Sequence, residues 1–440
     1  MFWTMRAVVL TALGLPLVML WPNGRVVVLW LLLVVLLAMF DVIVAPSTKG
    51  VEASRGPISP IRFGETAKSV VTLTNTGRRR RLRVRDVWQP LAGANSSPVK
   101  VRLDAFGSAT LTTTLTPRRR GTVRTHRLVI RSVGPLGLGG RQGARELPGE
   151  VTVLPAFPSR RVLPSRLTRL RELDGRSAVR TRGQGTEFDS LRDYVRGDDV
   201  RSIDWRASAR HQDLVVRTWQ PERDRHVVIA LDSGRLAAGR VGDRPRLDSS
   251  MDAALLLAAL ASRAGDRITF VSLDRSVHTT VRPEARRVVA DLSSAMASIQ
   301  PGLEVTDWSL LLPHLQRDAL VVLLTSLEAD PTMEDLVPFV AVVGRRHRVV
   351  VASVADPAVE DIARRGLLDD EPDDGMDMDR FHAMAAAEGG RLRTELARDG
   401  LVRAGATVLD QPPDRLPTAL VDHYLWLKSE GCLLYTSDAA

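Results

Sequence analysis

The sequence contains very little cysteine and few aromatic residues. Of its 440 residues, one is cysteine, Cys432, three are tyrosine, and all aromatic residues together make up 5%. A single cysteine excludes a framework of disulfides within the chain and fits a reducing compartment. The scarcity of tyrosine argues against the aromatic platforms on which many proteins stack the bases of single-stranded nucleic acid.

Positive charge, by contrast, is abundant. The chain has 61 Lys and Arg against 51 Asp and Glu, a formal net charge of +10, and most of the excess lies in residues 76–85, 116–121 and 159–176. This asymmetry indicates an anionic neighbour. The basic runs lack interleaved aromatic residues and show no zinc-finger or RNP-like pattern, so the sequence disfavours nucleic acid as that neighbour.

Two apolar runs open the chain, residues 7–21 and 26–44, and the second is interrupted only by Asp41. Each is near the lower limit of about 17 to 25 residues for a membrane-spanning helix. The turn at residues 22–25 predicts that they pair as a transmembrane helical hairpin over residues 1–48. No small-residue cleavage site follows, which disfavours a signal peptide, so we expect a multi-pass protein of the cell membrane.

The charges beside these runs predict the orientation of the hairpin. Positive charges flank its outer ends at Arg6, Lys49, Arg55, Arg62 and Lys68, whereas Arg25 alone lies in the turn. Loops rich in Lys and Arg stay on the cytoplasmic side of the membrane. We therefore expect the soluble domains to be cytoplasmic.

Residues 49–156 alternate polar and apolar residues in short runs separated by Gly, Pro and Asn. This period of two predicts a small antiparallel β-sandwich. Arg81, Arg83 and Arg85 fall on the solvated face of one strand. Because the domain begins close to the membrane, anionic lipid is a candidate partner for that face.

Residues 157–224 combine an arginine-rich linker with a distinctive run of acids and arginines, and Leu163, Leu167 and Leu170 are spaced for one helical face. From residue 225 to residue 431, apolar strands alternate with amphipathic helices. This order predicts an α/β domain with a parallel sheet covered on both faces. Residues 432–440, CLLYTSDAA, resemble the translation of a sequencing adapter, and we set them aside from the fold.

The run GQGTEFDSLRDYVRGDDVRSIDWRASAR, residues 183–210, and the run LVVRTWQPERDRHVVIALDSGR, residues 214–235, resemble the signature of the domain of unknown function 58 family. Members of that family are often encoded beside MoxR-type AAA+ ATPases, and the end of the chain is similar to the actinobacterial type. The resemblance implies two N-terminal membrane helices, a β-domain and a von Willebrand factor A-like α/β domain. It implies no established activity.

The acids of the signature, Asp198, Asp199 and Asp204, could act as paired carboxylates in metal or acid-base chemistry. Five arginines lie close enough in sequence to neutralise them: Arg192, Arg196, Arg201, Arg206 and Arg210. No histidine or cysteine accompanies them. We therefore interpret the segment as a structural and partner-docking element in which Ile203 and Trp205 pack after a turn.

Asp232 ends the first strand of the predicted parallel sheet, at the edge where such sheets place their ligands. The resemblance implies a metal-binding D-x-S-x-S motif there, but this chain has Asp232, Ser233, Gly234, Arg235 and Leu236 in sequence. A later strand offers Thr325 and Ser326, followed by Leu327 where an Asp would be common. We expect Ser233 to point elsewhere, Arg235 to neutralise Asp232, and no metal or other cofactor to bind.

These features predict a membrane-anchored, non-catalytic adaptor that works with a MoxR-type AAA+ ATPase in protein or envelope assembly. One alternative is a metal-dependent enzyme that uses Asp198, Asp199, Asp204 and Asp232. A second alternative is a nucleic-acid-binding protein.

Overall fold

Two units divide the chain, Met1–Leu154 and Pro155–Ala440. The structure is a computed structural model that describes residues 2–95, 97–180, 187–195, 200–211, 213–220, 226–316, 318–327, 330–368 and 378–430. Each unit contains its own clusters of buried apolar side chains.

The first unit begins with a two-residue strand, β1 (Phe2–Trp3), and three apolar helices, α1 (Met5–Ala12), α2 (Gly14–Leu20) and α3 (Gly24–Val44). The 21 residues of α3 make it long and apolar enough to cross a membrane. The first apolar run instead forms two short helices, and Pro16 lacks the amide N–H that would bond back across the break at Leu13. The second crossing of the predicted hairpin is therefore not confirmed.

Asp41 explains the one polar interruption of α3. Its side chain is fully buried, and its carboxylate accepts N–H groups from Leu136 at 2.8 Å, Leu138 at 2.7 Å and Gly139 at 2.9 Å. A Cβ atom at Gly134 would lie 2.1 Å from Asp41 Oδ1, so this loop needs glycine to approach the helix. The carboxylate thus fastens the end of α3 to the loop between the last two strands of this unit.

The rest of the first unit consists of two sheets. Their strands are β2 (Val51–Arg55), β3 (Ile61–Arg62), β4 (Ala67–Asn75), β5 (Arg80–Trp88), β6 (Val99–Leu103), β7 (Ser108–Leu115), β8 (Gly121–Val133) and β9 (Gly139–Leu154). One sheet has the order β1-β9-β8-β5-β6 with β3 beside β9, and the other has the order β2-β4-β7. Inward-facing residues of both sheets, among them Leu73 and Ile130, form one core.

A buried ion pair joins the two sheets. Both terminal nitrogens of Arg55 on β2 bond the carboxylate of Asp86 on β5, at 2.9 and 2.8 Å, and the indole of Trp88 donates to the same carboxylate at 2.8 Å. The two charged side chains are only 5% and 1% exposed. Such a bidentate pair satisfies charges that would be costly to bury alone.

The second unit opens with α4 (Leu163–Arg180), β10 (Glu187–Asp193), α5 (Trp205–His211) and β11 (Val215–Gln220). Leu170 is buried in the core, and Leu163 and Leu167 pack against it, which confirms the predicted helical face. Strands β10 and β11 pair with each other as a separate antiparallel ribbon.

The main sheet of this unit contains β12 (His226–Asp232), β15 (Arg267–Leu273), β16 (Val277–Val281), β17 (Leu320–Thr325), β18 (Arg348–Val354) and β19 (Ala406–Gln411), while β13 (Arg240–Val241) and β14 (Arg244–Pro245) form a small ribbon. The order is β16-β15-β12-β17-β18-β19, and all neighbours are parallel except β16, which pairs with β15 in the antiparallel sense. Counted along the chain this is the order 3-2-1-4-5-6 of doubly wound sheets.

Helices cover both faces of this sheet. They are α6 (Arg246–Arg263), α7 (Val288–Ala297), α8 (Asp330–Val343), α9 (Pro357–Leu368), α10 (Met378–Arg403) and α11 (Leu416–Ser429). Successive residues of β12 belong to different cores: Ile229 packs with residues of α6 and α11, and Ala230 packs with residues of α8. The apolar run of β12 is therefore buried on both faces, as its sequence predicts.

Candidate functional site

The carboxyl end of β12 is the switch point of the sheet, because the chain continues to opposite sides from β12 and from its neighbour β17. Asp232 ends β12 there and is 3% exposed. Its Oδ1 accepts the hydroxyl of Thr306 at 2.5 Å and the N–H of Gly234 at 2.8 Å, and its Oδ2 accepts the hydroxyl of Thr325 at 2.5 Å. Neutral donors therefore hold both carboxylate oxygens.

The ionisation of Asp232 is set by two opposing effects. Burial raises the pKa of its carboxyl group above the ordinary value, and the hydrogen bonds from Thr306, Thr325 and Gly234 pull it back only in part. The nearby carboxylate of Asp274 raises it further. Asp274 itself follows β15; its burial is outweighed by a bond from the Ser276 N–H and by His278 at 2.7 Å, so its pKa is lowered.

The other residues of the degenerate motif are also fixed by the fold. Ser233 is fully buried and its hydroxyl donates to the carbonyl of Leu273 at 3.1 Å, away from Asp232. Arg246, at the start of α6, reaches across to the hydroxyl of Ser326 at 3.1 Å. This guanidinium places a positive charge under the same edge of the sheet.

The expected neutralisation of Asp232 by Arg235 is wrong. The Arg235 side chain is exposed, and within the part of the chain that the structure describes no ion pair joins it to Asp232. Its backbone N–H bonds the carbonyl of Glu304 at 2.8 Å, which directs the side chain outward. The hydroxyls of Thr306 and Thr325 bond the carboxylate in place of the guanidinium that the sequence predicts.

The donor set does not fit a divalent cation. A Cβ atom at Gly234, where the metal motif has serine, would lie 2.6 Å from Thr306 Oγ1 and 2.7 Å from the Glu304 carbonyl. The depression over Asp232, lined by Arg235, Leu236 and Thr306, has no volume accessible to a water molecule. Leu236 and the buried Leu327 supply no oxygen, and the nearby Asp274 is engaged by the Ser276 N–H and by His278, so Asp232 lacks the further oxygen ligands that a divalent cation requires.

The signature segment places Asp204 at the start of α5. Its Oδ1 accepts the N–H groups of Arg206 at 3.1 Å and Ala207 at 3.0 Å, the arrangement of a helix N-cap. Ser208 completes the turn by accepting the Val215 N–H at 2.9 Å. Asp204 therefore has a structural role in the fold. Within the described residues, no group of three His, Cys, Asp or Glu could hold a metal ion.

Ile203 and Trp205 have opposite environments. Ile203 is 8% exposed and bridges to Val216 on β11, which agrees with its predicted packing. Trp205 is 66% exposed, so its predicted packing in the core is wrong. The helix cap at Asp204 turns the chain immediately after Ile203, and the first residue of α5 consequently points to solvent.

Arginines accompany the exposed tryptophan. Arg192, Arg201, Arg206 and Arg210 are exposed, and Val200 next to them is 61% exposed. Three residues of the predicted docking set, Arg196, Asp198 and Asp199, lie outside the described residues. We name the exposed residues Arg192, Val200, Arg201, Trp205 and Arg210 the signature surface.

A cavity lies at the opposite edge of the main sheet, where the parallel strands begin. It measures about 410 Å³, and its lining includes His226, Asp266, Arg267, Arg282 and Gln316. Burial, with Arg282 and Arg267 nearby, lowers the pKa of His226 below its usual value. Asp266 is already engaged, because it accepts the hydroxyl of Tyr424 at 2.5 Å. The lining joins no set of groups with a recognisable chemistry.

Sequence reasoning missed two residues of the Asp232 site. Thr306 lies in the connection between α7 and β17, and Arg246 begins α6; neither belongs to a motif. The only available signal was indirect, since loops at the carboxyl edge of a parallel sheet converge at its switch point. Such a signal indicates a region but selects no residue within it.

This region is similar to known proteins whose function is not established. Residues 190–386 match the family model described as protein of unknown function DUF58. Uncharacterized proteins of Mycobacterium bovis and Mycobacterium tuberculosis are 26% identical over 270 residues, a match that covers 57% of this chain and 82% of each relative.

Similar solved structures cover about a quarter of the chain. They include a PapD-like domain of human CEP192, with 17% identity and a TM-score of 0.20 over 25% of this chain and 89% of that one. WR4, a C. elegans member of the MSP family, has 13% identity and a TM-score of 0.17 over 24% of this chain and 97% of that one. Over residues 190–386, the chain is therefore similar to the DUF58 family, a family of unknown function.

Proposed function

We propose that this protein is a non-catalytic adaptor, anchored in the membrane, whose second unit docks a partner protein through the signature surface. The observation that carries the proposal is the exposure of Trp205, 66%, at the start of a helix with exposed arginines on both sides of it in sequence. Trp and Arg are the residues most enriched in the energetic centres of protein interfaces. An exposed tryptophan leaves a large apolar surface in water, and a partner protein that covered it would gain the free energy of its burial.

The geometry around Asp232 supports a non-catalytic role. Its two oxygens accept three hydrogen bonds from Thr306, Thr325 and Gly234, so substrate would have to displace internal donors to reach the carboxylate. Asp204, which the metal-dependent alternative also requires, accepts two N–H groups as a helix cap. Both carboxylates therefore stabilise local structure.

The architecture of this adaptor is also proposed. The sheet order and the residues at positions 232 to 236 support a von Willebrand factor A-like domain with a degenerate metal motif. The two sheets of the first unit support a small β-sandwich. Helix α3 supports membrane anchoring, and we propose that α1 and α2 complete a hairpin and that the soluble units face the cytoplasm.

The proposed partner is a MoxR-type AAA+ ATPase, through resemblance to members of the family encoded beside such enzymes. An ATPase of this kind would supply energy from nucleotide hydrolysis. The adaptor would hold the ATPase at the membrane through its docking surface. The pathway served would be the assembly of proteins or of the envelope.

Affinity purification of the full chain from detergent-solubilised membranes tests the proposal. We expect an AAA+ ATPase to copurify with the wild-type chain, and Trp205→Ala to lower its recovery because a central interface tryptophan contributes about 2 kcal/mol or more. Trp426→Ala is the matched control, since Trp426 is 49% exposed on α11 outside the signature surface. Absence of the ATPase from the wild-type sample, or equal loss in both variants, would contradict the proposal.

A further inference from the structure

We propose that one end of the outer face of the six-stranded sheet binds the head groups of anionic phospholipids in the leaflet where α3 ends. The face consists of Arg81, Arg83 and Arg85 on β5, Lys100 and Arg102 on β6, and Arg131 on β8, and all six side chains are exposed. We call it the arginine face. The proposal requires α3 to span the membrane and is independent of the adaptor function.

Hydrogen bonds place this end of the sheet beside the chain that leaves α3. Ser132 at the end of β8 donates to the carbonyl of Pro46 at 2.6 Å, and Arg145 on β9 donates to the carbonyl of Thr48 at 3.0 Å. Arg141 donates to the carbonyls of Val42 and Ile43, at 2.9 and 3.0 Å, within the last turn of the helix. The end of β8 and the beginning of β9 therefore lie at the level where α3 would leave the bilayer.

The strand register concentrates the basic residues at the same end. Leu82 on β5 is opposite Ser132, so β5 begins where β8 ends, and the antiparallel partner β6 ends there too. Arg81 lies opposite Arg102, and the next outward-facing row joins Lys100, Arg83 and Arg131. The first row therefore consists of two arginines, and the second row carries a basic residue on each of β6, β5 and β8.

Like charges directly opposite each other destabilise a sheet. Asp86 on β5 is buried and paired with Arg55 on the inner face, so among the described residues the nearest acid on the outer face of these strands is Glu146, opposite Arg127 and four residues beyond the partner of Arg131. Asp104, which follows β6, pairs with Arg79 at 3.1 Å. The described residues at this end of the outer face thus keep a repulsive arrangement with no acid among them, which is what a face that meets an external anion requires.

A shallow cavity on this face gives a phosphate group a place to bind. It measures about 190 Å³ and is lined by the guanidinium-bearing residues Arg83, Arg85, Arg127 and Arg131, together with Gln142. The Arg131 Nε donates to Gln142 Oε1 at 2.7 Å, and its guanidinium lies 5.1 Å from the ring centre of Phe2. One guanidinium group can donate two parallel N–H bonds to the oxygens of a phosphate. Aromatic rings favour the membrane interface.

The arginine face lies beside the end of α3, and this location favours lipid head groups over other molecules that carry phosphate. A head group in the adjacent leaflet is present at high local concentration, and each basic residue near an anionic surface contributes about a fivefold factor in affinity. A nucleic acid would need to approach between this end of the sheet and the bilayer. The flat row of cations also lacks interleaved aromatic residues for base stacking, apart from Phe2 at its margin.

The test uses the full chain in uncharged detergent, titrated with a soluble short-chain phosphatidylglycerol, with phosphatidylcholine as the neutral lipid. We expect saturable binding of phosphatidylglycerol that weakens with added salt. The double variant Arg83→Gln, Arg131→Gln should bind it at least fivefold more weakly. The control Arg118→Gln, Arg124→Gln removes the same charge from exposed positions near the opposite end of β8 and should bind like the wild type.

A second readout separates lipid binding from damage to the fold. In phosphatidylcholine alone, the Arg83, Arg131 double variant should melt at or above the wild-type temperature, because a repulsive pair has been removed. Phosphatidylglycerol should then raise the melting temperature of the wild type and of the Arg118, Arg124 control by about 2–4 °C, and that of the Arg83, Arg131 variant by less. Equal affinity of the two double variants would overturn the proposal. So would an equal response to inorganic phosphate or to a DNA oligonucleotide, which would identify a general anion site.

Discussion

At the residue scale, Asp232 shows how a buried carboxylate can be held by neutral donors. Two threonine hydroxyls and one backbone N–H bond its oxygens, and burial still raises its pKa. Thr306 is 74 positions from Asp232 in the chain. The Thr306 hydroxyl, which belongs to a distant loop, therefore bonds a carboxylate oxygen that would bind the cation in a metal site.

We predict that Asp232→Asn stabilises the protein at neutral pH. In the folded wild type, the raised pKa favours the protonated carboxyl, so unfolding releases a proton and stability falls as pH rises from about 4 through the higher folded pKa. The loss is about 1.4 kcal/mol per pH unit across that window. The amide does not titrate, and the threonine hydroxyls can turn to accept its N–H.

Denaturant unfolding of the full chain in detergent from pH 4 to pH 8 measures this effect. The difference in the free energy of unfolding between variant and wild type should grow with pH and then level off. A difference that does not change with pH would show that Asp232 keeps an ordinary pKa in the fold. Thr306→Val is the companion variant, since it removes one donor and should raise the pKa of Asp232 further.

Ile203 and Trp205 give a second prediction at the residue scale. Ile203→Ala should cost about 2–4 kcal/mol of stability because the side chain is buried, whereas Trp205→Ala should change the free energy of unfolding by less than about 0.5 kcal/mol. Chemical denaturation of each variant checks both values. A large loss in Trp205→Ala would return that side chain to the core and remove it from the signature surface.

At the scale of elements, α3 and the β8–β9 connection depend on each other. The buried Asp41 accepts three N–H groups from the connection, and Leu138 packs with Ala7 and Ala38 of the helices. A purely apolar helix would cross a membrane as well or better. Asp41 therefore serves to attach the helix to the sheet. This attachment fixes the position of the arginine face relative to α3.

We predict that Asp41→Leu destabilises the first unit by about 3 kcal/mol or more, although it makes α3 more apolar. Three N–H groups lose a charged acceptor, and each such bond contributes about 1.5–3 kcal/mol. Limited proteolysis of the full chain in detergent should cut the loop at residues 134–138 faster in this variant. Ile43→Leu, at a position that is 61% exposed, is the control and should behave like the wild type.

At the scale of the whole molecule, the proposed topology places both soluble units in the cytoplasm. Protease added to sealed spheroplasts should then leave everything after Val44 intact, because the membrane shields it. Protease added to inverted vesicles should digest the same region. Cleavage of the first unit from outside the spheroplasts would reverse the orientation and would place the arginine face on the opposite leaflet.

The two N-terminal apolar runs and strand β12 show which parts of the fold the sequence predicts. The predictions for residues 26–44 and 226–232 agree with the structure, because a helix long enough to cross a membrane and a strand buried on both faces each require a continuous apolar sequence. The run of residues 7–21 is also apolar, yet it forms two short helices with a break at Leu13, three residues before Pro16. Composition reports hydrophobicity, whereas helix continuity depends on each backbone hydrogen bond.

The sequence predicts where the candidate site lies, but it predicts only some of the contacts within the site. Asp232 and Thr325 were expected at one edge because the ends of parallel strands meet there, and the structure joins them at 2.5 Å. Arg235 was expected as the partner of Asp232 because it is close in sequence. Nearness along the chain does not fix the direction of a side chain, and a bond from its N–H to Glu304 turns Arg235 outward.

The sequence by itself determined the apolar helix α3, the strand periods, the alternation of strands and helices and the basic character of the first unit, because these depend on which residues prefer water. Only the tertiary structure decided that Thr306 bonds Asp232, that Asp41 holds the β8–β9 connection, and that Arg83, Arg131 and Lys100 share one row. Those contacts join residues far apart in the chain, and their energies arise only when the packed fold has removed water and fixed the register.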